Sequence, residues 1–170
     1  MLKRLFRSLF RRRNKFKKRG VNLKIIRKPI YVINRNVVIG DNVSIYPGTT
    51  FFGKGPIVIG NNVKIGNNVI INAMSEQGIV IKDYTSIAAN TYIIDNNHKK
   101  GKHDLIQKQG LDTKPIIIGE DVWIGASCVI GKGSIINNGA VIGANSFVNK
   151  EIESYAVAVG NPARVIKYRE

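Results

Sequence analysis

Aliphatic residues recur at a regular six-residue spacing through the later part of the chain. The repeat runs through Ile118, Ile124, Ile130, Ile136, Ile142 and Val148. A helix spaces its apolar residues about 3.6 apart and a strand about 2 apart, so a period of six indicates neither element alone. It is typical of short strands joined by corners in a solenoid, where each coil buries a core only by stacking on its neighbours. The pattern therefore predicts an all-β protein built as a parallel β-helix.

Small or turn-prone residues follow most of the repeated aliphatic positions. They are Gly119, Gly125, Gly131, Asn137, Gly143 and Asn149. Glycine and asparagine tolerate positive φ at little cost, so we expect these residues to turn the corners. A less regular run of sixes lies between Val37 and Asp95, in sets of three that would each form one triangular coil. We expect about three coils before residue 95 and about two after residue 117.

One long interruption of the repeat separates Ile93 from Ile118. A solenoid tolerates such an insertion at a corner because the coils on either side still stack, and long loops in compact domains are often functional. Both histidines of the chain, His98 and His103, lie in this interval. We therefore place the candidate active site in loop 95–115.

The domain boundaries follow from where the repeat starts. We assign residues 37–170 to the β-helix domain and residues 20–36 to a lead-in of unassigned shape. Two shorter excursions, near 53–58 and 74–80, join loop 95–115 as places where we expect specificity to reside.

The formal net charge of +16 is concentrated at the N-terminus. Residues 1–19 contain ten Lys or Arg and no acidic residue, which leaves 17 basic and 11 acidic residues for the rest of the chain. Apolar residues in this segment fall on one face of a helix: Leu2, Leu5, Phe6, Leu9 and Phe10. A basic amphipathic helix is typical of binding to a membrane surface. The alternatives are a solubilising or disordered tail, packing on the body or another subunit, and, least favoured, binding of nucleic acid.

The N-terminal segment does not have the pattern of a signal peptide, because Arg residues interrupt its apolar run and no small-residue cleavage site follows. No stretch approaches the roughly 18 to 20 apolar residues of a transmembrane helix. We expect a cytoplasmic protein that associates peripherally with the inner face of the membrane.

Three segments of the chain resemble the hexapeptide-repeat acyltransferases. The resemblance is to the branch of maltose, galactoside and xenobiotic O-acetyltransferases and their polysaccharide-modifying relatives. The segments are Lys114–Ala126, Ala140–Ser146 and Val159–Lys167. The resemblance extends over about residues 37–168. It implies a left-handed β-helix, a homotrimer, and acetyl-CoA bound between adjacent subunits.

The resemblance also implies a reaction centre. His98 follows Asn96 and Asn97 after a predicted strand, as the catalytic histidine does in this branch, and it would act as general base. Its unperturbed pKa near 6.5 suits removal of a hydroxyl proton at neutral pH. Backbone N–H groups around Gly125 would stabilise the oxyanion. Asn72 matches an asparagine that lines the acceptor pocket, and an ordinary corner residue is the alternative.

A set of acetyl-CoA contacts follows from the same resemblance. These positions are Trp123, Gly125, Ala126, Ala144, Asn149, Lys150, Arg164 and Lys167. Small side chains would let the pantetheine arm approach, and Arg and Lys suit the anionic phosphates. Two departures stand out: Ala126 replaces a serine found in many relatives, and Asn149 replaces the threonine of a usual Thr-Lys pair. For Trp123 and the basic residues, simple packing or solvation is the alternative role.

These inferences predict an acetyl-CoA-dependent O-acetyltransferase that acts on a sugar hydroxyl. The basic N-terminus favours a cell-surface or capsular polysaccharide precursor assembled at the membrane. The alternatives are an N-acyltransferase acting on an amino sugar and a non-catalytic β-helix that serves as a scaffold or membrane-binding module. A zinc enzyme of the γ-class carbonic anhydrase kind would need three histidines, and the chain has two, so no metal requirement is expected. The single cysteine, Cys128, is expected to be a core residue.

Overall fold

Three parallel sheets wrap around one aliphatic core in the computed structural model, which describes residues 16–26 and 30–170. The strands before the long loop are β1 (Lys18–Arg19), β2 (Lys24–Ile25), β3 (Tyr31–Val32), β4 (Val37–Ile39), β5 (Ser44–Ile45), β6 (Thr50–Gly53), β7 (Ile57–Ile59), β8 (Lys64–Ile65), β9 (Ile70–Ala73), β10 (Ile79–Ile81), β11 (Ser86–Ile87) and β12 (Tyr92–Ile94). The loop contains β13 (Asn96–His98), a 3₁₀ helix (Ile106–Lys108) and β14 (Leu111–Thr113). The strands after it are β15 (Ile116–Ile118), β16 (Trp123–Ile124), β17 (Val129–Ile130), β18 (Ile135–Ile136), β19 (Val141–Ile142), β20 (Phe147–Val148), β21 (Glu151–Ile152), β22 (Ala156–Val159) and β23 (Arg164–Tyr168).

Each coil of the solenoid contributes one strand to each of three faces. Face A has the order β1-β4-β7-β10-β15-β18-β21, and face B has the order β2-β5-β8-β11-β16-β19-β22-β23. Face C has the order β3-β6-β9-β12-β17-β20. Neighbouring strands in these faces run parallel, apart from the final antiparallel pair β22–β23. The result is a β-solenoid of about seven turns, and the predicted fold class of a left-handed parallel β-helix is confirmed.

The regular coils begin earlier than the repeat indicated. Residues 18–32 form a first coil, since Lys18–Arg19 pairs with Val38–Ile39 and the next two strands pair likewise with the second coil. The repeat did not reveal this coil because Arg19 takes the register position that an isoleucine fills in later coils, at the open end of the stack. Four coils therefore precede the long loop. The predicted amphipathic helix falls mostly on residues 1–15, which lie outside the described residues.

The six aliphatic residues of the repeat all point inward. Each is fully buried, and parallel pairing stacks residues of successive coils directly on one another, as in Ile118 on Ile136. Because every coil presents the same three inward positions, the buried side chains form three continuous ladders through the solenoid. The core predicted from the spacing is confirmed.

The glycines after the inward aliphatic residues serve a different purpose from the one expected. Positive φ occurs three positions after the aliphatic residue, at Asp121, Ser127, Gly133, Gly139, Asn145 and Tyr155. Gly125 shows what the earlier position requires: an added Cβ would lie 2.6 Å from the backbone nitrogen of Ala144 in the next coil. Close approach of stacked coils, rather than backbone conformation, therefore selects glycine there, and our expectation for these glycines was wrong.

The outward rows of the three faces differ in polarity. Face A presents an unbroken row of β-branched apolar side chains through five coils: Val38, Val58, Val80, Ile117 and Ile135. Face C also presents mainly apolar and aromatic side chains: Tyr31, Thr50, Ile70, Tyr92, Val129 and Phe147. Face B begins with Lys24, Ser44, Lys64 and Ser86 before it becomes apolar at Trp123. Faces A and C meet at the corner from which the long loop leaves.

The ladder model predicts that buried ladder positions dominate stability. We expect Ile136→Ala to lower the free energy of unfolding by about 2–5 kcal/mol, because the cavity it leaves sits between two stacked coils. Ile166→Ala, the same substitution at an exposed position of β23, should change it by no more than about 0.5 kcal/mol. Chemical denaturation followed by circular dichroism provides the comparison, and equal effects of the two changes would contradict the model.

Candidate active site

His98 lies on a β-hairpin that projects from the corner between faces C and A. Strands β13 and β14 pair antiparallel, with Asn97 opposite Asp112 and His98 opposite Leu111. The imidazole is exposed to solvent, as a base that must meet a substrate requires. The second histidine, His103, lies on an exposed turn of the same loop, outside the paired strands.

A buried carboxylate anchors the base of this hairpin. Asp95 is fully buried, and its Oδ1 accepts a hydrogen bond from the Met74 N–H at 2.7 Å. Its Oδ2 accepts bonds from the Ser75 N–H at 2.9 Å and the Ser75 hydroxyl at 2.6 Å. Buried charge is costly unless it is hydrogen-bonded, so these donors hold Asp95 in place. Ser75 also accepts a bond from the Gly78 N–H at 2.9 Å, which ties the 74–78 excursion to the same point.

The backbone of Asp95 joins both ends of the loop to the solenoid. Its N–H donates to the Asn72 carbonyl at 3.3 Å, and its carbonyl accepts from the Lys114 N–H at 3.0 Å. Sequence reasoning did not single out Asp95. A signal was present, because Asp95 lies two residues after the inward Ile93, and side chains of a strand alternate. An acidic residue at an inward position needs several donors and so marks an anchored point.

The hairpin and the adjacent corner enclose a cleft of ≈ 730 Å³. Its lining residues are Asn97, His98, Lys99, Lys100, Ile106, Asp112 and Lys132. Lys132, from the corner after β17, forms an ion pair with Asp112 of the hairpin. This hydrogen bond lowers the pKa of Asp112, and the charges of nearby lysines lower it further against a small opposing effect of desolvation. The ion pair therefore closes one side of the cleft against the body of the solenoid.

Asn72 lies at the foot of the same hairpin. It stands on β9, and its carbonyl holds Asp95, three residues before His98. Its Nδ2 donates to the Tyr92 hydroxyl at 3.3 Å, whereas its buried Oδ1 has no hydrogen-bond partner among the described residues. A buried acceptor without a donor is costly, so Asn72 suits a position that a ligand completes.

The predicted acetyl-CoA residues fall into separate groups. Gly125, Ala126 and Ala144 share the corner between faces B and C, where the Asn145 N–H donates to the Ala126 carbonyl at 2.9 Å. Trp123 lies two residues before Gly125 on face B, and 58% of its surface is exposed. Across face B, the register places Val141, Val157 and Lys167 in one row with Trp123.

Three further predicted residues complete the picture. Arg164 is exposed on β23, where it pairs with Val159, on the same face as Lys167. Asn149 and Lys150 instead follow β20, at the corner between faces C and A. The structure thus brings six of the eight cofactor candidates to face B and its adjoining corner, and it leaves Asn149 and Lys150 on the corner that carries the His98 hairpin.

Cys128 is a buried core residue, as predicted. Burial raises the pKa of its thiol, and the thiol donates to the Gly143 carbonyl at 3.1 Å. Within residues 16–26 and 30–170, no group of three or more His, Cys, Asp or Glu side chains is arranged to hold a metal ion. Over that same part of the chain, no helix is long and apolar enough to cross a membrane.

Two family models match the repeat regions. Residues 115–150 match the bacterial transferase hexapeptide (six repeats), and residues 56–94 match the hexapeptide repeat of succinyl-transferase. The chain is 34% identical to WbbJ of Escherichia coli K12, which is assigned as a lipopolysaccharide biosynthesis O-acetyl transferase. That alignment spans 86% of this chain and 79% of the relative.

Two solved structures share the fold and bind coenzyme A. The structure of AntD, an N-acyltransferase from Bacillus cereus in complex with dTDP and coenzyme A, superposes with a TM-score of 0.80 at 25% identity and covers 100% of this chain and 90% of its own. A galactoside acetyltransferase in complex with coenzyme A gives a TM-score of 0.62 at 28% identity, covering 90% of this chain and 65% of its own. With the repeat, the fold and these relatives in agreement, the chain belongs to the hexapeptide-repeat acyltransferase family and is an acyltransferase.

Proposed function

We propose that the protein transfers an acetyl group from acetyl-CoA to a sugar hydroxyl of a cell-surface or capsular polysaccharide precursor, with His98 as general base. The observation that carries this proposal is the placement of His98 in a cleft on an anchored hairpin, with Asn72 at its foot. The similarity to WbbJ supports a saccharide acceptor of this kind.

The chemistry follows from the side chains in the cleft. His98 removes the proton of the acceptor hydroxyl as its oxygen attacks the thioester carbonyl of acetyl-CoA. The carbonyl oxygen becomes an oxyanion, which backbone N–H groups at the Gly125 corner stabilise until the carbon–sulfur bond breaks. The CoA thiolate leaves and takes up a proton from the imidazolium. Asn72 Oδ1 offers an acceptor that can orient a donor group of either substrate.

The face B residues fit the donor. The exposed Trp123 ring and the small Ala126 and Ala144 side chains suit an extended apolar arm, and the cations of Arg164 and Lys167 suit anionic phosphates. These residues and the His98 hairpin lie at different corners of one chain. A complete site therefore requires a second copy whose face B corner meets the hairpin of the first.

The apolar outward rows support such self-association. Faces A and C, which flank the hairpin corner, carry apolar rows through most coils, and exposed apolar surface of this extent is typical of subunit interfaces. We propose the homotrimer implied by the family, with the active sites between adjacent subunits.

An amino-sugar acceptor is the second candidate. The superposition with AntD, an N-acyltransferase, favours it, and attack by an amine would use the same cleft. Matched hexose and amino-hexose acceptors separate the two reactions, because the product is an ester in one case and an amide in the other.

Replacement of His98 should remove the base. We expect His98→Ala to lower acceptor-dependent thiol release from acetyl-CoA by at least about 10²-fold, the usual size of general-base effects. His103→Ala is the matched control and should retain near wild-type turnover. Buried Cys128 should contribute little background to a thiol assay. Full activity of the His98 variant would refute its role, and absence of both turnover and acetyl-CoA binding in the wild type would favour the scaffold alternative.

A charge placed in the face A row should disrupt assembly. We expect the wild-type chain of 18.8 kDa to elute as a trimer, and Ile117→Lys to shift it towards the monomer because an unpaired ammonium would be buried. Ser86→Lys introduces the same charge on face B, adjacent to Trp123 in the register, and serves as the control. Light scattering gives the mass of each variant. A wild-type monomer would contradict the assembly proposal, and an unchanged Ile117→Lys trimer would show that face A is not its interface.

Peripheral membrane association is the proposed role of the N-terminal segment. Each basic residue near an anionic bilayer is worth roughly 1 kcal/mol. Phe16 should be kept in any truncation, because its ring packs edge-on against Phe51 at 5.8 Å. We expect deletion of residues 1–15, or replacement of their seven basic residues by Gln, to abolish co-sedimentation with anionic liposomes. Neutral liposomes are the control, and undiminished binding by either variant would exclude this role.

A further inference from the structure

We infer that the acceptor saccharide is anionic, and that Lys99 and Lys100 bind its phosphate or carboxylate group beside the reacting hydroxyl. This inference rests on the proposed acetyl transfer and deepens it by naming the substrate class. The two lysines directly follow His98 and line the same cleft. Their position next to the candidate base places any bound anion close to the reacting centre.

The loop holds these two lysines between fixed points. The Lys99 N–H donates to the Gly110 carbonyl at 3.1 Å, which continues the hairpin beyond His98. Gly101 is held by the Gln109 side chain, whose Oε1 accepts from the Gly101 N–H at 2.6 Å and whose Nε2 donates to the Gly101 carbonyl at 2.7 Å. With the Asp95 anchor at the base, the backbone that carries both lysines is fixed on both sides.

The charges that line the cleft do not balance. Its one acidic residue, Asp112, is already paired with Lys132. In the part of the chain that the structure describes, neither Lys99 nor Lys100 lies within 4.0 Å of a carboxylate oxygen. Two positive charges beside His98 therefore await a counter-charge. A bound anion would supply it, and it would offset the repulsion those lysines exert on the positive charge that His98 acquires during transfer.

The lysine side chain suits this recognition. Its ammonium group is a compact charge on a flexible stem, which binds phosphate or carboxylate without requiring one fixed geometry. The phosphates of acetyl-CoA are the competing anions. The exposed cations on face B, Arg164 and Lys167, lie on another face and are the residues we assign to them.

The experiment compares acceptors that differ in charge. Acetyl transfer is measured to one hexose as a methyl glycoside, a uronic acid, a 1-phosphate and a nucleoside diphosphate sugar. The wild type is compared with Lys99→Gln/Lys100→Gln. The control is Lys102→Gln/Lys108→Gln, which removes the same charge from the same loop outside the cleft lining. Binding of pyrophosphate and glucuronate is measured by calorimetry on all three proteins, independently of turnover.

We expect charged acceptors to be preferred, and their KM to rise about tenfold or more in the cleft variant, as the loss of charge-assisted bonds implies. The KM for acetyl-CoA should not change. The phosphate and carboxylate arms show which anion is read. A preference for the neutral glycoside, an equal loss in the control, or a rise confined to the acetyl-CoA KM would each overturn the inference. If no acceptor is turned over, the proposed function fails separately, and equal anion binding by wild type and cleft variant would still overturn the inference.

Discussion

Stacking is the constraint on which the whole structure depends. A coil of this solenoid has no second layer of its own, so each inward isoleucine is buried only by the coils above and below it. The same requirement governs the corners, where Gly125 gives the next coil room to approach. Because the inward positions are alike on all three faces, they do not distinguish one face from another. Differences in function must come from the outward rows and from the corners.

One corner departs from the repeat and carries the candidate chemistry. The insertion leaves and re-enters the solenoid at Asp95 and Lys114, which are joined by one backbone hydrogen bond. The coils on either side consequently stack as if the insertion were absent, since Ile79–Ile81 pairs directly with Ile116–Ile118. The hairpin can then be shaped by its substrate without loss of core packing. The buried carboxylate of Asp95 links this hairpin to Asn72 and to the 74–78 excursion, so three chain segments are held at one point.

The sequence predicted the fold and the position of the candidate base well, for a physical reason. Six-residue spacing maps directly onto one inward ladder position per strand, and the break in that spacing locates the inserted loop. Roles that depend on contacts between distant residues were harder to infer. The glycines at close approaches and the Asp95 anchor depend on atoms 17 to 20 residues away, which a local pattern does not show. The first coil was missed because Arg19 hides its register, and the separation of Lys150 from Arg164 appears only when the corners are assigned.

The single attachment point of the insertion also bears on how such enzymes diversify. Both ends of the hairpin meet at Asp95, whose side chain is held by the solenoid and not by the loop's own sequence. The segment between Asp95 and Lys114 therefore behaves as a cassette. A different cassette could be spliced between these two residues, by recombination in nature or by grafting in the laboratory, while the scaffold that receives it stays unchanged.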